Sequence, residues 1–156
     1  MDISSTLIGV ILLLLFIGPV FILIINQNRK DRSTKRLLEQ KIKEYGINPD
    51  ISELTPSLLL GLDSNLKKLL IVRPISQESN LISLAEIKRS QLRIVDKPEL
   101  PGKVNFISLD LLYNKKDAQP FEIVFYDEED DANPEAEVQL QLARRWENHI
   151  KEFLSS

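Results

Sequence analysis

Residues 58–73 read LLLGLDSNLKKLLIVR, and this stretch decides the fold of the region around it. The leucines at its first, third and fifth positions alternate with other residues, so they share one face of an extended strand. The Asp-Ser-Asn sequence that follows has the composition of a tight turn, and a second apolar run comes directly after it. The stretch therefore predicts an antiparallel β-hairpin.

Further strands are predicted downstream, because apolar and polar residues alternate there between groups of turn-forming residues. The prolines and the glycine of residues 96–102, DKPELPG, are expected to interrupt this pattern. With the hairpin, the region predicts about six short antiparallel strands. The four downstream segments are NLISL (80–84), QLRIV (91–95), FISLDLLYN (106–114) and FEIVFYD (121–127).

A long amphipathic helix is predicted after the strands. Asn133 and Pro134 suit the cap and the first position of a helix. Apolar residues then recur at steps of four, four, four and three, which places them in one stripe. Such a stripe must be buried, and the open face or end of the sheet is the available place, so the fold class is α+β. The stripe consists of Val138, Leu142, Trp146, Ile150 and Phe153.

This order of elements resembles the pleckstrin-homology-like (PH-like) fold, a strongly bent antiparallel sheet or partial barrel capped by one C-terminal amphipathic helix. The resemblance covers residues 56–154 and rests on the element order and on Trp146, which matches the tryptophan of the family's capping helix. The chain also resembles small single-pass bacterial membrane proteins that carry such domains. A lipocalin-like or other half-barrel with a lid helix is the alternative.

The phosphoinositide-binding pattern of PH domains is mostly absent from this chain. In those domains basic residues flank the first hairpin loop, and the matching stretch here has Asp63 in the loop and no lysine on the first strand. Lys67 and Lys68 follow the loop. We interpret them as a solvated strand edge rather than as a headgroup site.

A transmembrane helix is predicted over residues 6–26, after a short extracytoplasmic N-terminus of residues 1–5. Residues 7–25 contain no charged side chain, and with Thr6 they would form a helix of about 30 Å, the thickness of the bilayer core. A cleaved signal peptide is disfavoured, because Lys and Arg are absent before the apolar run and no small-residue cleavage site follows it. Since the basic residues lie after the span, the rest of the chain is expected in the cytoplasm.

Residues 27–56 are predicted to form a basic juxtamembrane helix that ends at Gly46, followed by a linker over residues 46–56. The leucine-rich stripe of this helix has three open roles: spacer, contact with the domain, or contact with a second copy. A plain stop-transfer cluster is the alternative to a membrane-binding role. The residues predicted to contact anionic headgroups are Arg29, Lys30, Arg32, Lys35 and Arg36.

Composition excludes several classes of function. The chain of 156 residues has no cysteine and a single histidine, His149, which rules out disulfides and three-histidine metal sites. Residues 46–156 carry a net charge of −6. Binding to a phosphate backbone needs clustered Lys and Arg, so this charge argues against nucleic acid as the main partner. The acidic run of residues 127–131 is interpreted as a solvated loop whose charges favour the start of the next helix; a divalent-cation site and a contact for a basic partner are the alternatives. We identify no catalytic motif, so neither an enzyme nor a cofactor is predicted.

Together these observations predict a single-pass protein of the cytoplasmic membrane that displays a cytoplasmic interaction or scaffold module, residues 57–156. Its expected partners are membrane lipids, through the span and the basic helix, and another protein. Two other functions stay open. One is lipid-headgroup sensing by the basic helix and the β domain, and the other is binding of a small ligand inside a half-barrel.

Overall fold

The computed structural model describes residues 8–11, 17, 19, 32–130 and 135–154. Residues 32–45 form helix α1, which precedes seven strands and a C-terminal helix. The predicted antiparallel β region with a helix after it is confirmed, with one strand more than expected. The later elements are β1 (Ile51–Leu54), β2 (Leu59–Asp63), β3 (Lys68–Arg73), β4 (Glu78–Ser83), a 3-10 turn (Leu84–Glu86), β5 (Ile87–Lys97), β6 (Leu100–Tyr113), β7 (Phe121–Asp127) and α2 (Ala136–Leu154).

The strands form two antiparallel sheets, one with the order β1-β2-β3-β4 and one with the order β5-β6-β7. The 3-10 turn at Leu84–Glu86 separates them, and no barrel closes among the described residues. The expectation of one bent sheet or partial barrel is therefore corrected to two sheets. Their facing sides and α2 enclose one core, in which Trp146 and Phe125 are the largest fully buried side chains.

The predicted hairpin is present as β2 and β3, joined in register from Leu59–Val72 to Asp63–Lys68. The three alternating leucines of the opening stretch all enter the core between the sheets. Leu59, on the opposite face of β2, is also fully buried, because α1 covers that face. A strand buried on both faces explains why this part of the sequence is almost continuously apolar.

The linker predicted over residues 46–56 is wrong in its second half, where β1 pairs with β2. Pro49 and Pro56 flank β1 without entering it, so they do not interrupt its hydrogen bonds. The first half is also ordered against the sheet: a Cβ added at Gly61 of β2 would lie 3.1 Å from Pro49 Cγ. The packed unit therefore begins before residue 57.

The break predicted over residues 96–102 is limited to Pro98 and Glu99, because β5 reaches Lys97 and β6 begins at Leu100. Pro101 is tolerated inside β6 because β7 does not extend this far, so the missing N–H has no partner to lose. Gly102 adopts a φ of 89°, which glycine tolerates better than other residues. Register shifts on both sides of Asp96 absorb the remaining irregularity.

The stripe of α2 is confirmed at Leu142, Trp146 and Ile150, but Val138 is 54% exposed. Steps of four residues drift by about 40° each on a helix of 3.6 residues per turn, so Val138 lies about 80° from Trp146. Gln139 falls nearer the centre of the buried face and is 3% exposed. Asn133 and Pro134, the predicted helix start, lie outside the described residues.

The predicted transmembrane helix over residues 6–26 falls mainly outside the described residues, as does the terminus before it. Of that segment, residues 8–11, 17 and 19 are described and are helical. No helix of the described residues combines the length and the apolar character needed to cross a membrane.

Candidate interaction surfaces

Helix α1 packs on the outer face of the four-stranded sheet. Leu38 is 4% exposed, and the Tyr45 hydroxyl lies 3.0 Å from Ser79 Oγ on β4. These contacts settle one of the roles left open by the sequence, since the apolar stripe of this helix contacts the domain itself. The buried residues of this second cluster are Leu38, Ile47, Leu59, Leu70 and Val72, with Leu37, Ile42, Tyr45 and Leu81 partly buried around them.

The end of α1 is fixed by a Schellman turn, as Gly46 predicts. Gly46, with a φ of 63°, donates its N–H to the carbonyl of Lys43, and Ile47 donates to that of Ile42. Two carboxylates then fasten the next residues to the β2–β3 turn. Asn48 N–H donates to Asp63 Oδ2 at 2.8 Å.

These two carboxylates are held in their charged forms by hydrogen bonds. The backbone N–H of Asn48, followed by that of Leu66, lowers the pKa of Asp63 below its ordinary value. The hydroxyl and backbone N–H of Ser64 lower the pKa of Asp50 in the same way. Asp63, which the sequence places in a loop, is therefore a structural residue that is 2% exposed.

The side of α1 that faces away from the sheet is basic. Of the residues predicted to contact headgroups, Arg32 and Arg36 are exposed on this side and Lys35 is exposed on its flank, whereas Arg29 and Lys30 lie outside the described residues. Lys43, further along the helix, is exposed as well. We call these four described cations, Arg32, Lys35, Arg36 and Lys43, the basic face of α1.

Lys41 does not belong to the basic face. It pairs with Glu44 at 2.7 Å on the helix flank, and the hydrogen bond to Glu44 raises its pKa. None of the cations of the basic face has such an ion pair with the part of the chain that the structure describes.

The hairpin of β5 and β6 extends beyond β7 as a two-stranded arm. β7 pairs with β6 only as far as Phe106, whereas the ladder between β5 and β6 continues to Lys97 and Leu100. We call residues 94–105 the arm; its first two residues pair with β6 residues that β7 still contacts, and the two-stranded part follows them. Three of its apolar side chains are exposed: Ile94 by 41%, Val95 by 40% and Leu100 by 54%.

The outer side of β5 lies at the border of its sheet. Before the arm this side is covered by α2, since the Leu92 N–H donates to the Glu147 carboxylate at 3.3 Å. Backbone groups alternate in direction along a strand, so the N–H and C=O of Ile94 point to the same side as the Leu92 N–H. Ile94 thus presents both main-chain groups, and an exposed side chain, at an open strand edge.

The root of the arm is held by Arg93 on the outer face of the three-stranded sheet. Its guanidinium pairs with Glu122, lies 3.3 Å from Asp110 Oδ2 and stacks 5.3 Å from the centre of the Phe106 ring. At the acidic turn after β7, Glu128 pairs with Lys97. These contacts fix the direction in which the arm leaves the domain.

A groove of about 730 Å³ lies between the start of β5 and the end of α2. A register shift makes Lys88 and Arg89 consecutive exposed residues at its rim. Ser90 lines the groove, is 7% exposed, and its hydroxyl has no hydrogen-bond partner among the described residues. Buried polar side chains normally have a hydrogen-bond partner, so this hydroxyl is an exception.

The other residues singled out by the sequence have structural surroundings. Lys67 lies in the β2–β3 turn and Lys68 begins β3, in the second hairpin of the chain, since β1 and β2 form the first. His149 is half-buried and meets the Trp146 ring edge-on at 5.9 Å. No group of three His, Asp or Glu residues in the described ranges could hold a metal ion, and Asp131 of the acidic run lies outside them.

The open edge at Ile94 was not predicted, although Ile94 and Val95 were assigned to a strand. Two adjacent apolar residues on opposite faces of one strand were the available signal, since at least one of them must be exposed unless both faces are covered. Comparisons with protein-family models, with curated proteins and with solved structures find no match for this chain.

Proposed function

We propose that the chain is a membrane-anchored module that binds a protein partner on the cytoplasmic side. In this proposal residues 6–26 form the span, the N-terminus faces out, and the two sheets with α2 form a PH-like interaction domain. The resemblance is supported by the succession of four strands, three strands and one helix packed into the same core. The partner binds at the open edge of β5 beside Ile94.

The open edge at Ile94 is the observation that carries this proposal. An extended segment laid antiparallel to β5 would meet the outward N–H and C=O of Ile94, and main-chain hydrogen bonds of this kind give strand addition its affinity. The exposed side chains of Ile94 and Val95 offer one apolar contact on each face of the added strand. Natural proteins usually protect such edges, so an apolar open edge indicates a binding role.

The charge around the arm selects the chemistry of the bound segment. Asp96 and Glu99 are exposed beside the edge, while Lys97 and Lys103 both contact Glu128. These three carboxylates and two lysines leave one net negative charge, so the segment that fits the arm is an extended peptide with alternating apolar and basic side chains.

A ligand inside a half-barrel is less favoured by the packing. The space between the two sheets and α2 is filled by fully buried side chains, including Trp146, Phe125 and several leucines. Small-molecule sites are concave and largely preformed, whereas this interior is occupied.

The proposal is tested with an octapeptide of alternating valine and lysine added to the full chain in lipid nanodiscs. We expect the Ile94 amide to become protected from hydrogen exchange and the binding to weaken as salt is raised. An octapeptide of alternating valine and glutamate is expected not to bind. Binding of both peptides with equal affinity would refute the assigned charge.

Two variants separate the backbone of Ile94 from its side chain. Ile94→Pro removes the outward N–H but leaves the ladder to β6 intact, and loss of one hydrogen bond of about 1 kcal/mol weakens binding about fivefold or more. Ile94→Ser removes the apolar contact alone and should weaken binding by a smaller factor. Ile75→Ser is the matched control, since Ile75 is 66% exposed on the β3–β4 turn. If Ile94→Pro binds the valine–lysine peptide as tightly as the unchanged chain, strand addition is wrong.

A further inference from the structure

We propose that the basic face of α1 docks on anionic lipid headgroups and thereby turns the four-stranded sheet towards the bilayer. The orientation of the arm, which belongs to the same domain, is fixed by this docking. This inference deepens the proposed function and rests on the membrane anchor in that proposal. It gives the anchored domain one orientation instead of many.

The first step is the geometry of α1 itself. On a helix of 3.6 residues per turn, Arg32, Arg36 and Lys43 fall within about 40° of one another. The centre of this group lies about 140° from Leu38 and about 160° from Tyr45, both of which contact the sheet. The three cations are spread along about 16 Å of helix, at a rise of 1.5 Å per residue. The apolar side faces the sheet and the cationic side faces away from it, so one helix has two distinct binding faces.

The second step is charge complementarity. The basic face carries four cations, and Glu39 is the acidic residue that lies among them. The remainder of the domain is acidic, since residues 46–156 carry a net charge of −6. An anionic membrane surface attracts the first and repels the second, so the electrostatic preference between the two sides of the domain is large.

The third step is the rigidity of the connection. Leu38 is buried, the Tyr45 hydroxyl reaches Ser79, and the Asp63 carboxylate holds Asn48, so α1 and the sheet form one packed unit. Docking of α1 must therefore carry the sheet with it. The layers follow in the order α1, four-stranded sheet, core, three-stranded sheet, at about 10 Å per layer.

The test places a fluorophore on single cysteines introduced into the full chain, which has none of its own. Gln40→Cys labels the outer side of α1, and Gln91→Cys labels the outer face of the three-stranded sheet, roughly 20 Å further away. Nanodiscs carry a headgroup quencher in either zwitterionic lipid or a mixture with anionic phosphatidylglycerol. We expect the Gln40 label to be quenched in the anionic discs, less in zwitterionic discs and less at high salt. The Gln91 label is expected to stay bright throughout.

The charge assignment is tested by the triple variant Arg32→Gln, Arg36→Gln, Lys43→Gln. At about 1 kcal/mol for each cation near the surface, or about fivefold, the ratio of docked to undocked protein should fall about a hundredfold. The control removes equal charge elsewhere, through Lys88→Gln, Lys115→Gln and Lys116→Gln, and should dock normally. Equal quenching of Gln40 in both lipids, stronger quenching of Gln91, or loss of docking in the control overturns the inference.

The docking test and the peptide-binding test of the strand edge give independent results. Ile94→Pro is expected to dock normally, and the triple variant of α1 is expected to bind the valine–lysine peptide. Failure of one proposal therefore leaves the other measurable.

Discussion

Replacing Leu38 by alanine measures how far α1 belongs to the folded domain. Leu38 is 4% exposed and packs with residues of β2 and β3. Truncation of a buried leucine costs about 2–5 kcal/mol, depending on how far the surroundings collapse into the space. At about 3 kcal/mol, and a urea dependence of about 1.5 kcal/mol per molar, the unfolding midpoint should fall by about 2 M.

Trp146 makes the assay specific, since it is the single tryptophan, is 1% exposed and lies in the other core cluster. Its emission during urea unfolding of the full chain in mild detergent therefore reports on the β domain rather than on α1. Leu66→Ala is the control, because Leu66 is 51% exposed in the β2–β3 turn and should change the stability by less than about 0.5 kcal/mol. If Leu38→Ala unfolds at the same midpoint as this control, α1 is not part of the cooperative unit and is not rigidly connected to the sheet.

Three further predictions concern individual residues. Ser90→Ala should raise the unfolding free energy by about 1 kcal/mol, because it removes a buried hydroxyl that has no partner among the described residues; a lower urea midpoint would show that the hydroxyl is hydrogen-bonded. Gly46→Ala should lower the unfolding free energy by about 1 kcal/mol, because alanine is strained at the positive φ of this position. Nothing lies within 4 Å of the added Cβ, so a steric clash adds no cost, and thermal unfolding measures the change. The lowered pKa of Asp63 contributes stability above the ordinary pKa of the carboxyl, which is lost as the pH falls through the folded-state pKa. Asp63→Asn should therefore be less stable at neutral pH and show a flatter acid limb in urea midpoints measured from pH 7 to pH 2.

The local pattern of the sequence was sufficient for the elements that depend on short-range signals. Alternating leucines before an Asp-Ser-Asn turn and a second apolar run after it identify the β2–β3 hairpin, and the stripe centred on Trp146 identifies α2. β1 escaped prediction because four residues between prolines carry too few alternations to distinguish a strand from a linker. Pro101 suggested a break, because the sequence does not show where β7 ends.

The candidate surfaces depend on contacts between residues far apart in the chain, and such contacts leave little trace in the local pattern. The open edge at Ile94 exists because β5 is the first strand of its sheet, which follows from pairing with β6 and β7 and not from β5 itself. The basic residues of α1 were identified from their charge alone. Their direction away from the sheet depends on the burial of Leu38 under it, because the buried side of a helix determines which side is outward.

The Schellman turn at Gly46 and the bond between Asn48 and Asp63 have a mechanical consequence. A flexible leash over residues 46–56 would let the domain sweep a radius of about 18 Å. Here those residues are fastened to the sheet, so α1 and the sheet move as one body. In the proposed membrane-anchored arrangement, a partner would have to present its segment at one distance from the bilayer to reach the edge of β5.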